Sequence, residues 1–320
     1  MKYILAPLAG FTDAPFRILC REGGADLCYT EMLSAAGLAR GSAPTLRLAD
    51  TLPEGESAAL QIFGADEIDV AKAARVIEKA AGRDGVCTVT ELNLNAGCPV
   101  PKVVREGAGA KLLANPGKIH ALLKAMKENC GFPVTLKTRL GPHPGAVTVF
   151  EILDAAEKAG AAGIAVHARF ASQMHGGAVG LDILAEVARR AHIPVTGNGS
   201  VTDAKSASAM AATGVSAIMI GRAALADPYI FAKLRGRSAD EMPSRRDMAR
   251  RHLDLILRFR DALAERHPDA HIPSADAYAS VKMHTHLFRY FSGTPGAAQL
   301  RRRLNSVRTL AETEEILGAL

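Results

Sequence analysis

The residues Asn95-Ala96-Gly97-Cys98-Pro99, with Lys102 three positions on, carry the clearest chemical content of this chain. Val89–Leu94 before them predicts a buried strand, and Val103–Leu113 after them resumes an apolar helical pattern around Gly107 and Gly109. A cysteine set between a glycine and a proline just past a strand end stays on a loop, where a ligand can meet it. A lone cysteine is more often a small buried residue beside a turn. The neighbouring Asn95 and the fixed turn favour a functional thiol at Cys98.

Other polar residues stand at comparable places. Short β-rich runs occur at Tyr3–Ala6, Ala25–Tyr29, Ala58–Phe63, Val89–Asn95, Val134–Thr138, Gly163–His167, Val195–Gly197 and Ala217–Ile220. Between most of them lie alanine-rich segments with apolar residues three and four apart, such as Ile68–Ala80, Lys118–Met126, Val149–Ala159 and Ala204–Ala211. Eight such repeats predict an α/β fold, a (β/α)8 TIM barrel, over a doubly wound open sheet. The barrel is preferred because Gln61, Asn95, Lys137 with Arg139, His167 with Arg169, Asn198 and Arg222 all fall at strand C-terminal ends, which converge on one mouth in a barrel. Leu33–Glu56 reads as a patternless loop over one side of that mouth.

The alternation stops near Pro228, and Gly236-Arg237-Ser238 with Met242-Pro243-Ser244 reads as a linker. Helical periodicity then covers Arg246–Arg266, Ala277–Phe291 and Pro295–Arg308, a small C-terminal helical bundle. The expected division is 1–240 for the barrel and 241–320 for the bundle. Net charge is +6, and residues 241–311 hold 13 Lys and Arg against 7 Asp and Glu, which points to an acidic partner for the bundle. Five cysteines at 20, 28, 87, 98 and 130, with no CxxC pair, argue for a reduced, cytoplasmic protein without a disulfide framework or structural zinc. No run approaches the roughly 20 apolar residues that span a bilayer, and no obligate protein partner is evident.

Gly197-Asn198-Gly199-Ser200 and Gly221-Arg222 end consecutive predicted strands, the seventh and eighth. Glycines let backbone N–H groups approach an anion, and barrels often bind a phosphate at these two loops. Gly107-Ala108-Gly109-Ala110-Lys111 lacks the spacing of a nucleotide loop and reads as a flexible active-site segment. His284 and His286, two apart on a helix, face away from each other and are not expected to share a metal. Arg301-Arg302-Arg303 is an ordinary solvated face unless the surrounding basic module, with Lys282, Arg289 and Arg308, gives it a partner.

Taken together and in order, these motifs resemble the tRNA-dihydrouridine synthase family over essentially the whole chain. The resemblance is carried by Leu5-Ala6-Pro7-Leu8-Ala9-Gly10-Phe11-Thr12-Asp13-Ala14-Pro15-Phe16-Arg17, the Asn95–Pro99 loop with Lys102-Val103, Lys137-Thr138-Arg139, His167-Ala168-Arg169, Gly197-Asn198-Gly199, Ile220-Gly221-Arg222, and Ser292–Ala297 with Leu300-Arg301. It implies an FMN-dependent enzyme that reduces specific tRNA uridines to 5,6-dihydrouridine with NADPH as electron donor. Cys98 would protonate C5, which suits a thiol that is ordinarily protonated at neutral pH. Ala6, Pro7, Leu8, Gln61, Lys137, His167, Asn198, Gly199, Gly221 and Arg222 would bind the cofactor. Asn95, Arg139, Arg169, Arg301 and Arg302 would bind the RNA.

The chain departs from the family pattern at Asn93, where an aspartate is common, and at Phe170-Ala171 after His167-Ala168-Arg169. It has no tryptophan, and Leu181-Asp182 lies near where Asp-Trp is expected. These differences bear on substrate placement, and no target uridine is assigned. A small-molecule flavin oxidoreductase of the same barrel class would share the phosphate motifs but leave the basic bundle without a role. An RNA-binding module without catalysis would leave Cys98, Lys137 and His167 without one.

Overall fold

The structure, a computed structural model, describes residues 1–83 and 85–319. Eight parallel strands close into a barrel: β1 (Lys2–Leu5), β2 (Leu27–Ser34), β3 (Ser57–Phe63), β4 (Thr88–Ala96), β5 (Val134–Arg139), β6 (Gly163–His167), β7 (Val195–Asn198) and β8 (Ala217–Ile220). Closure comes from β1 pairing with β8, with Leu5 opposite Ile220. Parallel neighbours need a crossover between them, and the amphipathic segments supply it. Helices Glu67–Ala80, Pro116–Lys127, Val149–Lys158 and Ala204–Ala211 fall within three residues of the periodicity that predicts them.

Side-chain alternation divides the barrel into two apolar regions. Leu92, Leu94, Leu136, Ile164 and Val166 point outward and are buried under the helices. Ile4, Ala6, Tyr29, Ala59, Ala165, Ala217 and Met219 fill the inside, where alanines opposite larger residues let the narrow lumen pack. Inward positions on β4 are instead polar: Glu91, Asn93 and Asn95 alternate with the leucines and face the lumen beside Gln61 of β3 and Thr135 of β5.

The segment after Leu33 differs from the patternless loop expected. β2 continues to Ser34, and helices Ala35–Ala39 and Ala43–Leu46 follow. Ser34 and Ser42 cap them, accepting hydrogen bonds from the N–H of Gly37 and Thr45. These helices are too short to develop an apolar period, so the serine caps were the only local signal.

The stretch expected to be a linker also carries order. Within it a short helical turn, Ala239–Glu241, is closed by Ser238 N–H donating to Glu241 Oε2 at 2.7 Å; just before it, helix Ile230–Leu234 packs back on the barrel, with Ala232 N–H donating to Gly23 O at 2.9 Å. Beyond it run helices Arg245–Arg266, Ala275–Tyr290, Ala297–Ser306 and a fourth, Leu310–Ala319, that the periodicity did not bring out. The first two lie against helix Ala14–Glu22. Phe16 stacks on His286 with ring centroids 5.1 Å apart, and His286 meets His252 edge-on at 4.4 Å. Burial pushes the His286 pKa down to about 4, so the contact is between neutral rings. Ion pairs Lys282–Asp13 at 2.7 Å and Arg251–Glu22 at 2.7 Å flank it. No helix among the described residues is long and apolar enough to cross a membrane.

Candidate active site

A cavity of about 620 Å3 opens at the C-terminal end of the barrel. β4 delivers Cys98 to its rim. Asn95 Oδ1 accepts from Gly97 N–H at 3.1 Å and Cys98 N–H at 2.9 Å, folding the chain back immediately after the strand. Pro99 then prevents the strand from continuing. On the other side, Ala110 N–H donates to Cys98 O at 2.8 Å. Gly109 makes that approach feasible: its φ is +58°, and a Cβ there would stand 2.6 Å from Cys98 O. The segment expected to be a flexible loop is a short helical turn, Gly109–Ala114, that buttresses the cysteine from behind.

β5 contributes Lys137 and Arg139 to the same cavity. Lys137 Nζ donates to Asn198 Oδ1 at 3.1 Å, and Asn198 Nδ2 donates to Met219 O at 2.8 Å. Burial, reinforced by repulsion from Arg139, brings the Lys137 pKa down to about 7. Arg139 reaches Gly97 O through Nε at 2.8 Å and Met174 O through Nη1 at 2.7 Å, tying the cysteine loop to the loop after β6. Burial, then Arg169, lowers its own pKa to about 10, leaving it cationic near neutrality.

His167 ends β6. Burial first, then Lys137, Arg139 and Arg169, push its pKa far below the ordinary value, so the ring is neutral. Its Nε2 lies 3.4 Å from Arg169 Nη1, and a guanidinium can only donate, so the ring proton is on Nδ1. Arg169 does not line the cavity. It is 4% exposed and binds Gly176 O, Gly177 O and Ser200 Oγ, bracing the loop around His175. Ala6, Pro7, Leu8, Asn198, Gly199, Gly221 and Arg222 do line it, together with Lys137, Arg139 and His167.

Gln61 lies below the cavity, fully buried, accepting from Asn95 Nδ2 at 2.8 Å and donating to Asn93 Oδ1 at 2.7 Å. The carboxamide of Asn95, expected to face RNA, is committed to the loop, to Gln61 and to Met32 Sδ. Arg301 and Arg302 are exposed on helix Ala297–Ser306, outside the cavity. Arg301 lies over the Phe288 ring, 4.1 Å from its centroid.

The motifs left several lining residues unnamed, among them His175, Val201 and Thr202. His175 sits next to Gly176-Gly177, a turn signal whose histidine had no periodic neighbour to mark it. Ser200 and Met174 both hold φ near +50°, backbone strain of the kind that clusters at functional sites. A second groove of about 630 Å3 lies at the start of helix Arg245–Arg266, lined by three arginines (Arg245, Arg246 and Arg250), one carboxylate (Asp247), and Ser244, Phe291, Thr294 and Pro295. Its three arginines form no ion pair among the described residues, whereas neighbouring Arg251 binds Glu22 and Asp254.

The cavity therefore combines a thiol, a buried amine, two glycine turns and two arginines, with no carboxylate on its walls among the described residues. Such a site selects an anionic ligand beside an exchangeable proton. A probable tRNA-dihydrouridine synthase of Mycobacterium leprae is 31% identical over 99% of this chain and 87% of its own length. tRNA-dihydrouridine synthase B of Yersinia pestis is 33% identical over 99% and 94%. In three dimensions, a morphinone reductase variant in complex with tetrahydroNAD superposes with a TM-score of 0.51 at 12% identity, over 73% of this chain and 86% of that one, a likeness of fold. The family model described as dihydrouridine synthase matches residues 4–319, and the chain belongs to that family.

Proposed function

We propose that the protein reduces uridines in tRNA to 5,6-dihydrouridine with FMN and NADPH, and that Cys98 is the proton donor. The observation that carries this reading is the meeting of Cys98 with a carboxylate-free cationic cavity at one barrel mouth.

The residues present fit a flavin mononucleotide. The cavity volume lies within the roughly 300–1,000 Å3 of pockets that take small ligands. Ala6, Pro7, Leu8 and Met219 offer an apolar wall for a planar ring. At the other end, the N–H groups of Gly199, Ser200 and Gly221 have no hydrogen-bond partner among the described residues, and Arg222 stands beside them. Gly199 has φ +132°, and a Cβ there would crowd His167 Cδ2 at 3.1 Å and Val179 Cγ1 at 3.0 Å. That end suits one phosphate, which favours FMN over a dinucleotide flavin.

When bound and reduced by NADPH, FMN supplies the hydride equivalent that saturates the uracil C5–C6 bond. Cys98 Sγ holds the proton that completes the reduction at C5. Lys137 supplies positive charge beside an electron-rich ring and is itself oriented by Asn198. Neutral His167, with its proton on Nδ1, gives the cofactor a donor without adding charge. Gln61 acts through Asn95. Arg139 and Arg169 hold the loops that bound the mouth and exclude water. We assign residues 1–240 to this chemistry and 241–320, with Arg301, Arg302 and the arginine groove, to gripping the RNA backbone. The target base has to leave its stack to enter the cavity.

The test is to reduce the protein-bound flavin anaerobically and add either tRNA or free uridine. Faster reoxidation by tRNA, with dihydrouridine recovered from the digested RNA, is expected. Faster reoxidation by a free pyrimidine or enone would favour a small-molecule reductase and overturn the reading.

A further inference from the structure

Beneath Cys98, five consecutive hydrogen-bond steps cross the barrel, and all donate in the same direction. Gly97 and Cys98 N–H give to Asn95 Oδ1, Asn95 Nδ2 to Gln61 Oε1, Gln61 Nε2 to Asn93 Oδ1, Asn93 Nδ2 to Thr135 Oγ1 at 2.8 Å, and Thr135 Oγ1 to Glu91 Oε1 at 2.9 Å. Tyr29 Oη donates to the same Glu91 oxygen. Strand geometry explains the path. Glu91, Asn93 and Asn95 share the inward face of β4, while Gln61 and Thr135 flank Asn93 in register on β3 and β5. Ala59, opposite both Tyr29 and Glu91, is small enough to let the tyrosine reach across.

A carboxamide can be turned over, exchanging its oxygen for its NH2, and three carboxamides in series could point either way. Here both ends remove the choice. The upper end consists of backbone N–H groups, which only donate, and the lower end is a carboxylate, which only accepts. Turning the series over would set the Asn95 NH2 against the N–H groups of Gly97 and Cys98 and open the turn that carries the thiol. Aligned steps of this kind also polarise and strengthen one another.

We propose that Glu91, some 13 Å down β4 from Asn95 at about 3.3 Å per residue, and Thr135, level with Asn93 on β5, are positioning residues for Cys98. They act by setting the direction of the buried chain that fixes the cysteine turn. The proposal deepens the reading of Cys98 as proton donor and rests on it. It also gives Asn93 a role: its side chain donates and accepts at once, linking Thr135 to Gln61.

The experiment uses three variants of the full-length protein. Thr135→Val keeps the shape and removes the hydroxyl, Thr135→Ser keeps the hydroxyl, and Glu91→Gln keeps the size but makes the lower end able to donate. Two readouts are taken: kcat and KM for tRNA reduction, and the iodoacetamide alkylation of Cys98 relative to Cys130, the other half-buried cysteine, by peptide mapping. For Thr135→Val and Glu91→Gln, kcat should fall on the order of 10–100-fold with KM changed by less than about twofold. Their Cys98 to Cys130 alkylation ratio should rise about threefold or more as the turn loosens. Thr135→Ser should stay within about twofold of the parent on both.

An unchanged alkylation ratio, an unchanged kcat, or a Thr135→Ser variant as impaired as Thr135→Val would overturn the proposal. If Thr135→Val fails to fold, Glu91→Gln carries the test. Alkylation needs neither RNA nor NADPH. A parent inactive on tRNA would thus defeat the functional reading while the alkylation ratio still judged the chain.

Discussion

Replacing Gly109 with alanine separates the positioning of Cys98 from its chemistry. The new methyl group would sit 2.6 Å from Cys98 O and 2.7 Å from Val103 Cγ1, against about 3.4 Å for an ordinary contact, so the carbonyl has to retreat by roughly 0.8 Å. That carbonyl is backbone and belongs to the cysteine itself, so Sγ moves with it. Left-handed φ adds about 1–2 kcal/mol for a non-glycine residue. With the displaced contact, the total loss of stability is about 2–4 kcal/mol. A misplacement of about 1 Å costs on the order of 10²-fold in rate.

Gly107→Ala is the control. Its φ of +76° imposes the same backbone strain, but the added carbon meets only Ala65 Cβ at 3.3 Å. Thermal unfolding together with single-turnover reoxidation of the reduced flavin by tRNA compares the two. Both variants should lose stability, and only Gly109→Ala should lose roughly two orders of magnitude in rate. Equal rates in the two variants would refute the argument that the turn behind Cys98 sets the position of its thiol.

Cys98→Ala should retain flavin and RNA binding and lose on the order of 10²–10⁴-fold in turnover, measured by dihydrouridine formation. Cys20, Cys28 and Cys87 are fully buried, burial pushing the latter two thiols up to about 12, so their alanine variants should change melting temperature and leave turnover intact. Lys137 is mostly neutral above its pKa of about 7, and an anionic ligand beside it raises that pKa. Binding therefore takes up a proton, and FMN affinity should fall as pH rises from about 7 to 9; calorimetry in buffers of different ionisation enthalpy reads the uptake. Arg245, Arg246 and Arg250 replaced together by alanine should reduce the salt dependence of tRNA binding by roughly 0.7–0.9 in log–log slope per lost phosphate contact. The Arg301, Arg302 and Arg303 triple variant should do the same by filter binding, less steeply because Arg303 is already paired with Glu315.

The barrel was legible because its strands are short and apolar and its helices long enough to show a period. The cysteine loop was legible because glycine and proline punctuate it. Less accessible was whatever depends on pairing between strands. Glu91-Leu92-Asn93-Leu94-Asn95 reads as a buried strand, and its alternation does put the leucines under the helices. The same alternation turns three polar side chains into the lumen, where only the register with Gln61 and Thr135 makes them partners. The resemblance gives Arg169 to the RNA, but the carbonyls that occupy its guanidinium come from a loop seven residues on, which no strand-end motif foretells. The arginine groove escaped notice because Phe291, Thr294 and Pro295 meet Arg245 and Arg246 only after the helices pack.

The pairing of β1 with β8 and the stacking of Phe16 on His286 have a consequence for how the protein is made. A ribosome releases Leu5 long before Ile220, and Phe16 long before His286, so the earliest segments wait for the latest. Contacts this distant in sequence are slow to form and leave apolar surface uncovered meanwhile. The wall formed by Ala6, Pro7 and Leu8 follows β1 directly, and it is held in place only once β8 arrives. A nascent chain therefore cannot assemble the cavity early, and the thiol of Cys98 gains its full surroundings only once the residues through Ala223 have emerged. Shortening the chain from its C-terminal end should accordingly disturb the barrel at its first helix, far from the cut in sequence and adjacent to it in space.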